Sequence, residues 1–269
     1  MKTEMRNPRT THFSSETTLD MVRIINEENM NSVMAVGEAL PAIARAVDAV
    51  AEAFALGGRL IYVGAGTSGR MAVMDAAECP PTYGVDYNTV VTVMAGGRDA
   101  MFRAAENVED SEESGRADLI AKDVTSRDVV MGISASGNAA YVASAMEYAK
   151  SIGCVTVSLA SNEDSRIGKI ADIPIFVDTG AEVITGSTRM KAGNSQKFVL
   201  NMISTCAMVK TGKVYENLMI NLRPTNKKLR ARMIGIVSEI CEVSPEEAEA
   251  LLESHGFVIR NVFEAMGKM

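Results

Sequence analysis

Twice in this chain a short β-prone apolar run ends in a loop of glycine and hydroxyl residues that opens straight into a helical pattern. This repetition restricts the fold more than any other feature. The first copy is RLIYV at 59–63, GAGTSG at 64–69 and helical spacing over 71–78. The second is DVVMGI at 128–133, SASG at 134–137 and helical spacing over 139–152. Further strand-like runs lie at 89–94, 154–159 and 173–177. Strands that alternate with helices predict an α/β fold, a parallel sheet covered on both faces. Such sheets bind ligands at the carboxyl ends of their strands, where these loops lie.

The flanks are less regular. Residues 1–15 read as an extended arm. Apolar residues at helical spacing predict helices over 18–29 and 34–56, with Pro41 as a break and Gly57-Gly58 as the stop. From Lys191 onward the chain reads as helical, and Pro224 separates a long helix from another over 226–242. Ser244-Pro245-Glu246-Glu247 is a helix start: an N-cap, proline at the first position, then acids facing the helix dipole. Two short helices follow to the end.

Composition narrows the chemistry. The 269 residues are 47% hydrophobic and 23% charged, an ordinary globular balance. The net charge of −7 argues against a general affinity for nucleic acid or anionic membrane. Cys79, Cys154, Cys206 and Cys241 are widely spaced with no C-x-x-C pair, so neither a metal cluster nor a disulfide framework is expected. A reducing, cytoplasmic setting is the simplest expectation. The polar N-terminus lacks a signal-peptide core, and no apolar stretch reaches the ~18 residues of a membrane span. The only histidines are His12 and His255. Acid–base chemistry in this chain must therefore rest on carboxylates.

The two loops form a candidate anion site. Glycine allows close backbone approach, Ser and Thr add donors, and a helix N-terminus adds positive potential. Residues 64–69 also fit G-x-G-x-x-G, but no acid clearly follows about 20 residues on to bind a ribose. A tight strand–helix turn without any ligand is the plain alternative. Among carboxylates, Glu78 precedes Pro80-Pro81, about 15 Å along a straight helix from Ser68. Glu106, Glu109, Asp110, Glu112 and Glu113 form a second acidic group, most simply a solvated helix face.

Several of these runs resemble one family. RLIYVGAGTSGRMAVMDAAECPPTYG at 59–84 and EVITGSTRMKAGNSQKFVLNMIST at 182–205 are similar to the two signatures of the N-acetylmuramic acid 6-phosphate etherases. GKVYENLM at 212–219, TNKKL at 225–229, Arg6-Asn7, Leu19-Asp20 and INEE at 25–28 also match, so the resemblance spans about residues 6–235 in register. It implies a sugar isomerase (SIS) fold, a five-stranded parallel sheet sandwiched by helices, with N-terminal helices and a shortened C-terminal helical region. The implied division is 1–49 for the N-terminal arm and helices, 50–213 for the phosphosugar-binding domain and 214–269 for the C-terminal helices.

The resemblance also implies a function. Such enzymes are homodimers without metal or other cofactor. They remove D-lactate from carbon 3 of a 6-phosphorylated amino sugar by elimination and hydration, in the recycling of bacterial cell-wall sugars. Two carboxyls in different environments suffice, one acid and one base. The family's acid falls on Glu78. Its base falls on Glu109, through Gly96-Gly97 and AENVED at 105–110, with Glu106 in reserve. Sugar and phosphate contacts carry over to Gly66, Thr67, Ser68, Ser134, Ser136 and Gly137, with Glu182, Ser187, Thr188 and Lys191 along the same cleft. The second loop departs from the family's A-A-S-G-R-T-P-Y: its arginine is Asn138 here and its threonine Ala139. Two alternatives fit a phosphosugar cradle. A non-catalytic sugar-phosphate regulator would need the loops without both carboxylates. An aldose–ketose isomerase would not release lactate, and the ECPPTYG run argues against it.

Overall fold

The apolar runs form strands because both of their faces are covered. In the computed structural model, which describes residues 1–269, Ile61, Val63, Val93 and Val130 pack into one cluster with Leu119, Tyr141, Val142 and Met146. Side chains alternate along a strand, so Leu60, Tyr62, Val129 and Met131 point to the opposite face, and all four are buried as well. A strand buried on both sides shows no polar alternation, in keeping with the uniformly apolar runs.

The chain divides into two compact units: Met1–Ala76 with Asn88–Ala207, and Ala77–Tyr87 with Met208–Met269. The first opens with α1 (Thr18–Ala55) and β1 (Leu60–Gly64), and the start of α2 (Gly66–Tyr83) follows. Then come β2 (Val90–Met94), α3 (Glu112–Ile120), β3 (Val129–Ile133) and α4 (Ala140–Ser151). β4 (Val155–Ala160), α5 (Arg166–Ile170), β5 (Ile173–Phe176) and most of α6 (Lys191–Lys210) complete it. The five strands pair in parallel in the order β2-β1-β3-β4-β5. The chain reverses its direction of growth between β1 and β3. The loops after these two strands therefore diverge and leave a crevice at that switch point.

Opposite the α3–α4 face, Tyr62 Oη donates to Asp75 of α2 at 2.9 Å, and Asn201 and Ser204 of α6 donate to the same carboxyl. Burial pushes the Asp75 carboxyl above its ordinary pKa, against the pull of these three donors. Asp128 joins the bottom of β3 to β1: it accepts from the backbone N–H of Arg59 at 2.8 Å and from its guanidinium at 2.8 Å. No helix is long and apolar enough to cross a membrane.

Two expectations for the N-terminal region need correction. The two predicted helices are one, α1, with Pro41 inside it. Proline costs an interior helix about 3 kcal/mol through its missing N–H and a steric clash. The buried stripe continues on both sides of it, through Val36, Ala39, Ile43, Val47 and Val50. Burying one such aliphatic side chain contributes about 1.5–3 kcal/mol, so the continuous stripe outweighs the proline. Residues 1–15 are not extended either. They form three 3₁₀ turns, Lys2–Glu4, Pro8–Thr10 and Phe13–Ser15. Thr3 and Asn7 are buried, and their side chains bond to distant parts of the same unit.

In the second unit, α7 (Lys227–Cys241), α8 (Pro245–Ser254) and α9 (Ile259–Ala265) bury Met233, Val237, Leu252, Ile259 and Phe263 against one another. Ser244 and Glu247 close a reciprocal capping box at the start of α8. The region after α6 is not wholly helical. β6 (Val214–Tyr215) and β7 (Leu218–Met219) make a small antiparallel hairpin turned at Glu216, whose φ is +51°. Two-residue strands leave no detectable periodicity, and this one is held by tertiary contact: Tyr215 meets Phe263 edge-on at 5.2 Å.

Candidate active site

The crevice between the ends of β1 and β3 is a cleft of about 250 Å³, walled by Gly66, Thr67, Ser68, Ser134, Ser136, Thr188 and Glu109, with Glu4 and Gly186 at its edge. Its floor is the N-terminus of α2. The N–H groups of the first helical turn have no carbonyl four residues earlier to bond, so those of Gly66, Thr67 and Ser68 remain as donors, and Gly69 is the first to turn inward, to Ala65 O at 3.2 Å. The glycines here do separate jobs. Gly66 adopts φ +53°, which L side chains disfavour. Gly64 and Gly69 let the helix start lie on the strand end: a Cβ on Gly64 would sit 2.8 Å from Gly69 N.

The second loop is braced from within. Gly137 N–H donates to Ser134 Oγ at 3.1 Å, and Asn138 N–H donates to Ser136 Oγ at 3.2 Å. The two hydroxyls lie 3.3 Å apart. Each oxygen accepts from the backbone, and one hydroxyl proton closes the Ser134–Ser136 contact. The other is left to donate into the cleft. Gly137 is not a wall residue: its N–H is spent inside the turn, and a Cβ there would meet Ser165 Cβ at 2.3 Å.

Of the acidic cluster, only Glu109 faces the cleft. The group is not one helix face. Glu109 lies in a 3₁₀ turn, Val108–Asp110, entered through Asn107 at φ +63°, whereas Glu112 and Glu113 sit in the first turn of α3 behind the N-cap Ser111. Val108 packs against the apolar cluster and pins the turn. Gly96 makes the room: a Cβ there would meet Ala105 at 3.2 Å and Val108 at 3.6 Å. Glu106 is exposed and lies outside the wall. Glu78 belongs to the second unit, exposed and near the end of α2. The helix does not stop before the two prolines, as expected from the local sequence, but runs through them to Tyr83. Gly84, at φ +62°, ends it with an N–H bond to Pro80 O at 2.9 Å.

Two residues expected along the cleft belong instead to the framework. Glu182 is fully buried and accepts from the N–H groups of Lys191 and Ala192, both at 3.0 Å, capping α6. Burial raises its carboxyl above the ordinary range despite those bonds. Lys191 Nζ is buried on Glu28 of α1 at 2.7 Å. Burial favours the neutral form of Glu28. Hydrogen bonds from Lys191 and Asn7, with the charges of Lys191 and Arg9, outweigh it and hold that carboxyl below its usual pKa. Ser187 lies between the wall residues Gly186 and Thr188, and its N–H donates to Ile184 O at 2.9 Å.

No Lys or Arg lines the cleft, and no group of three or more His, Cys, Asp or Glu side chains is arranged to hold a metal ion. The positive potential available to an anion is that of the α2 terminus and its hydroxyls. Of the two carboxylates on its wall, Glu109 and Glu4, Glu109 lies in the 3₁₀ turn that follows β2. The cradle paired with Glu109 suits an anionic substrate that must lose a proton.

The glucokinase regulatory protein N-terminal SIS domain model matches residues 42–150. The N-acetylmuramic acid 6-phosphate etherase of Pasteurella multocida is 50% identical over 255 residues, 94% of this chain and 85% of that one. That of Bacillus subtilis is 51% identical over 253 residues, 94% and 83% of the two chains. This chain belongs to the N-acetylmuramic acid 6-phosphate etherase family. A phosphoheptose isomerase from Francisella tularensis shares the fold, with TM-score 0.56 at 18% identity over 72% of this chain and all of that one.

Where the resemblance leads one to expect arginine, Asn138 turns its side chain into the local structure: Oδ1 accepts from Arg166 N–H at 3.0 Å and Nδ2 donates to Ser136 O at 3.3 Å. It shapes the loop without bringing a cation to it. Sequence patterns gave no sign of Glu4 or the buried Asn162, because they lie far from the loops along the chain and only the fold brings them there.

Proposed function

We propose that this chain is a carbon–oxygen lyase that cleaves the D-lactyl ether of N-acetylmuramic acid 6-phosphate to N-acetylglucosamine 6-phosphate and D-lactate. The observation that carries this reading is the cleft itself, in which the Thr67–Ser68 helix terminus and the Ser134–Ser136 hydroxyls share a wall with the Glu109 carboxylate. The relatives at 50–51% identity, named as etherases, support it.

In the proposed reaction the phosphate docks on the α2 terminus and the sugar opens. The aldehyde acidifies the proton on carbon 2, and Glu109 removes it. The carbon 3–oxygen bond breaks, and Glu78 gives its proton to the departing lactyl oxygen. Water then adds at carbon 3 of the unsaturated aldehyde, with a proton returning to carbon 2. Ser187 and Gly137 support the cradle as loop residues. Glu182 and Lys191 act by placing α6 and, with it, Thr188. We also propose that residues 50–213 carry substrate binding, that the enzyme works as a cytoplasmic homodimer, and that it serves the recycling of cell-wall amino sugars.

The test is D-lactate release from N-acetylmuramic acid 6-phosphate by the purified protein, beside Glu109→Gln and Glu78→Gln. Each variant is expected to lose turnover by at least a hundredfold, the usual contribution of a general acid or base, while still binding N-acetylglucosamine 6-phosphate. Absence of lactate release by the wild type would overturn the reading. Unimpaired turnover in either variant would remove that glutamate from the mechanism.

A further inference from the structure

Glu4 is a second carboxylate at the cleft, and the proposed elimination and hydration do not use it. It lines the same cavity as Thr67, Ser68, Ser136 and Glu109. A carboxylate beside an anion cradle works against phosphate binding, so its presence there calls for a different partner.

The chain holds it in place from both sides. On one side, Lys2 N–H donates to Asn162 Oδ1 at 2.8 Å, and Asn162 Nδ2 donates to Thr3 Oγ1 at 3.1 Å. The same Asn162 amide donates to Ala135 O at 3.1 Å, so one side chain ties the arm to the second loop of the cradle. On the other side, buried Asn7 donates to Glu28 Oε2 at 2.9 Å and to Ala181 O at 3.2 Å. Between these anchors the Glu4 carboxylate makes no hydrogen bond or ion pair within the protein, and Lys2, two residues earlier, pairs with Asp178 instead. Gly186 leaves space for it: a Cβ there would lie 3.3 Å from Glu4 Oε2.

We propose that Glu4 is a specificity-determining residue, whose carboxylate accepts hydrogen bonds from hydroxyl or amide donors on the sugar and whose charge keeps the phosphate end on the α2 terminus. This inference rests on the phosphosugar reading of the cleft. Loss of a contact made equally to bound substrate and transition state raises KM and leaves kcat in place.

The experiment compares wild type, Glu4→Ala and Glu4→Gln by calorimetry with N-acetylglucosamine 6-phosphate and with inorganic phosphate, and by D-lactate release. Glu4→Ala is expected to weaken the sugar phosphate by about tenfold to a hundredfold, the range of a hydrogen bond to a charged group. It is expected to raise KM with kcat within about threefold, and to bind inorganic phosphate as well as the wild type or better. Glu4→Gln keeps an acceptor and should recover most of the sugar affinity. Equal sugar-phosphate affinity in Glu4→Ala overturns the proposal, and so does equal weakening of both probes, which would mark a detached arm. If the wild type binds the sugar phosphate without releasing lactate, the etherase reading fails while calorimetry still decides on Glu4. If the wild type binds neither probe, both fall.

Discussion

Replacing Lys191 by methionine separates a framework role from a site role. The ammonium and the Glu28 carboxylate are each 2% exposed and 2.7 Å apart. Methionine keeps most of the apolar stem of the side chain and removes the charge, leaving Glu28 buried with Asn7 at 2.9 Å, Arg9 at 3.1 Å and Asn31 at 3.4 Å. Breaking a buried pair by removing one partner costs about 3–5 kcal/mol. The three remaining partners place this site near the lower end, about 3 kcal/mol. For a chain of this size each kcal/mol moves Tm by about 2–4 °C, so a fall of about 6–12 °C is expected. Adding Glu28→Leu should restore much of it, because the double variant no longer buries a lone charge. The assay is thermal unfolding followed by circular dichroism, with calorimetry of N-acetylglucosamine 6-phosphate at 25 °C, where affinity should stay within about threefold. A Lys191→Met variant that melts like the wild type but loses the sugar phosphate would refute this reasoning and return Lys191 to the cleft.

Ser68→Ala removes a cradle hydroxyl and is expected to weaken N-acetylglucosamine 6-phosphate by about 1.5–3 kcal/mol, read by calorimetry. Asn138→Arg, the residue expected from the family pattern, should tighten inorganic phosphate binding by up to about tenfold if its guanidinium turns to the cleft, and the Arg166 N–H contact it gives up should lower Tm slightly. The Asp128–Arg59 pair sets an acid limit. Burial favours the neutral acid, but the Arg59 and Thr125 donors outweigh it and hold Asp128 below its usual pKa. Its stabilisation is therefore fully present above the unfolded value of about 3.9 and is lost as pH falls through the lower folded value. The Tm gap between wild type and Asp128→Asn should be wide at pH 7 and close below about pH 4, and a gap that stays constant with pH would contradict it.

The local layer of this protein is legible in its sequence alone. RLIYV and DVVMGI are short and largely apolar, glycine and serine follow them, and helical spacing resumes. Each of these signals depends on residues within a few positions, so a parallel sheet with ligand loops at its strand ends can be read directly. The ECPPTYG and EVITGSTRMK runs likewise carry the family by their length alone. Pro41 misleads for the same reason: a local rule breaks the helix, while the buried stripe from Val36 to Val50 sustains it.

What only the tertiary structure decided concerns pairs of residues distant along the chain. Glu106 and Glu109 are indistinguishable by composition, and the room beside Gly96 with the packing of Val108 turns only Glu109 to the cleft. Glu182 and Lys191 look like site residues in the second signature, yet burial commits one to capping α6 and the other to Glu28, 163 positions away. The arm that brings Glu4 to the cradle is held by Asn162, 159 positions beyond Thr3. Short-range spacing encodes the elements; which charges face solvent, core or substrate is settled by desolvation and by partners that only the closed fold brings within hydrogen-bonding distance.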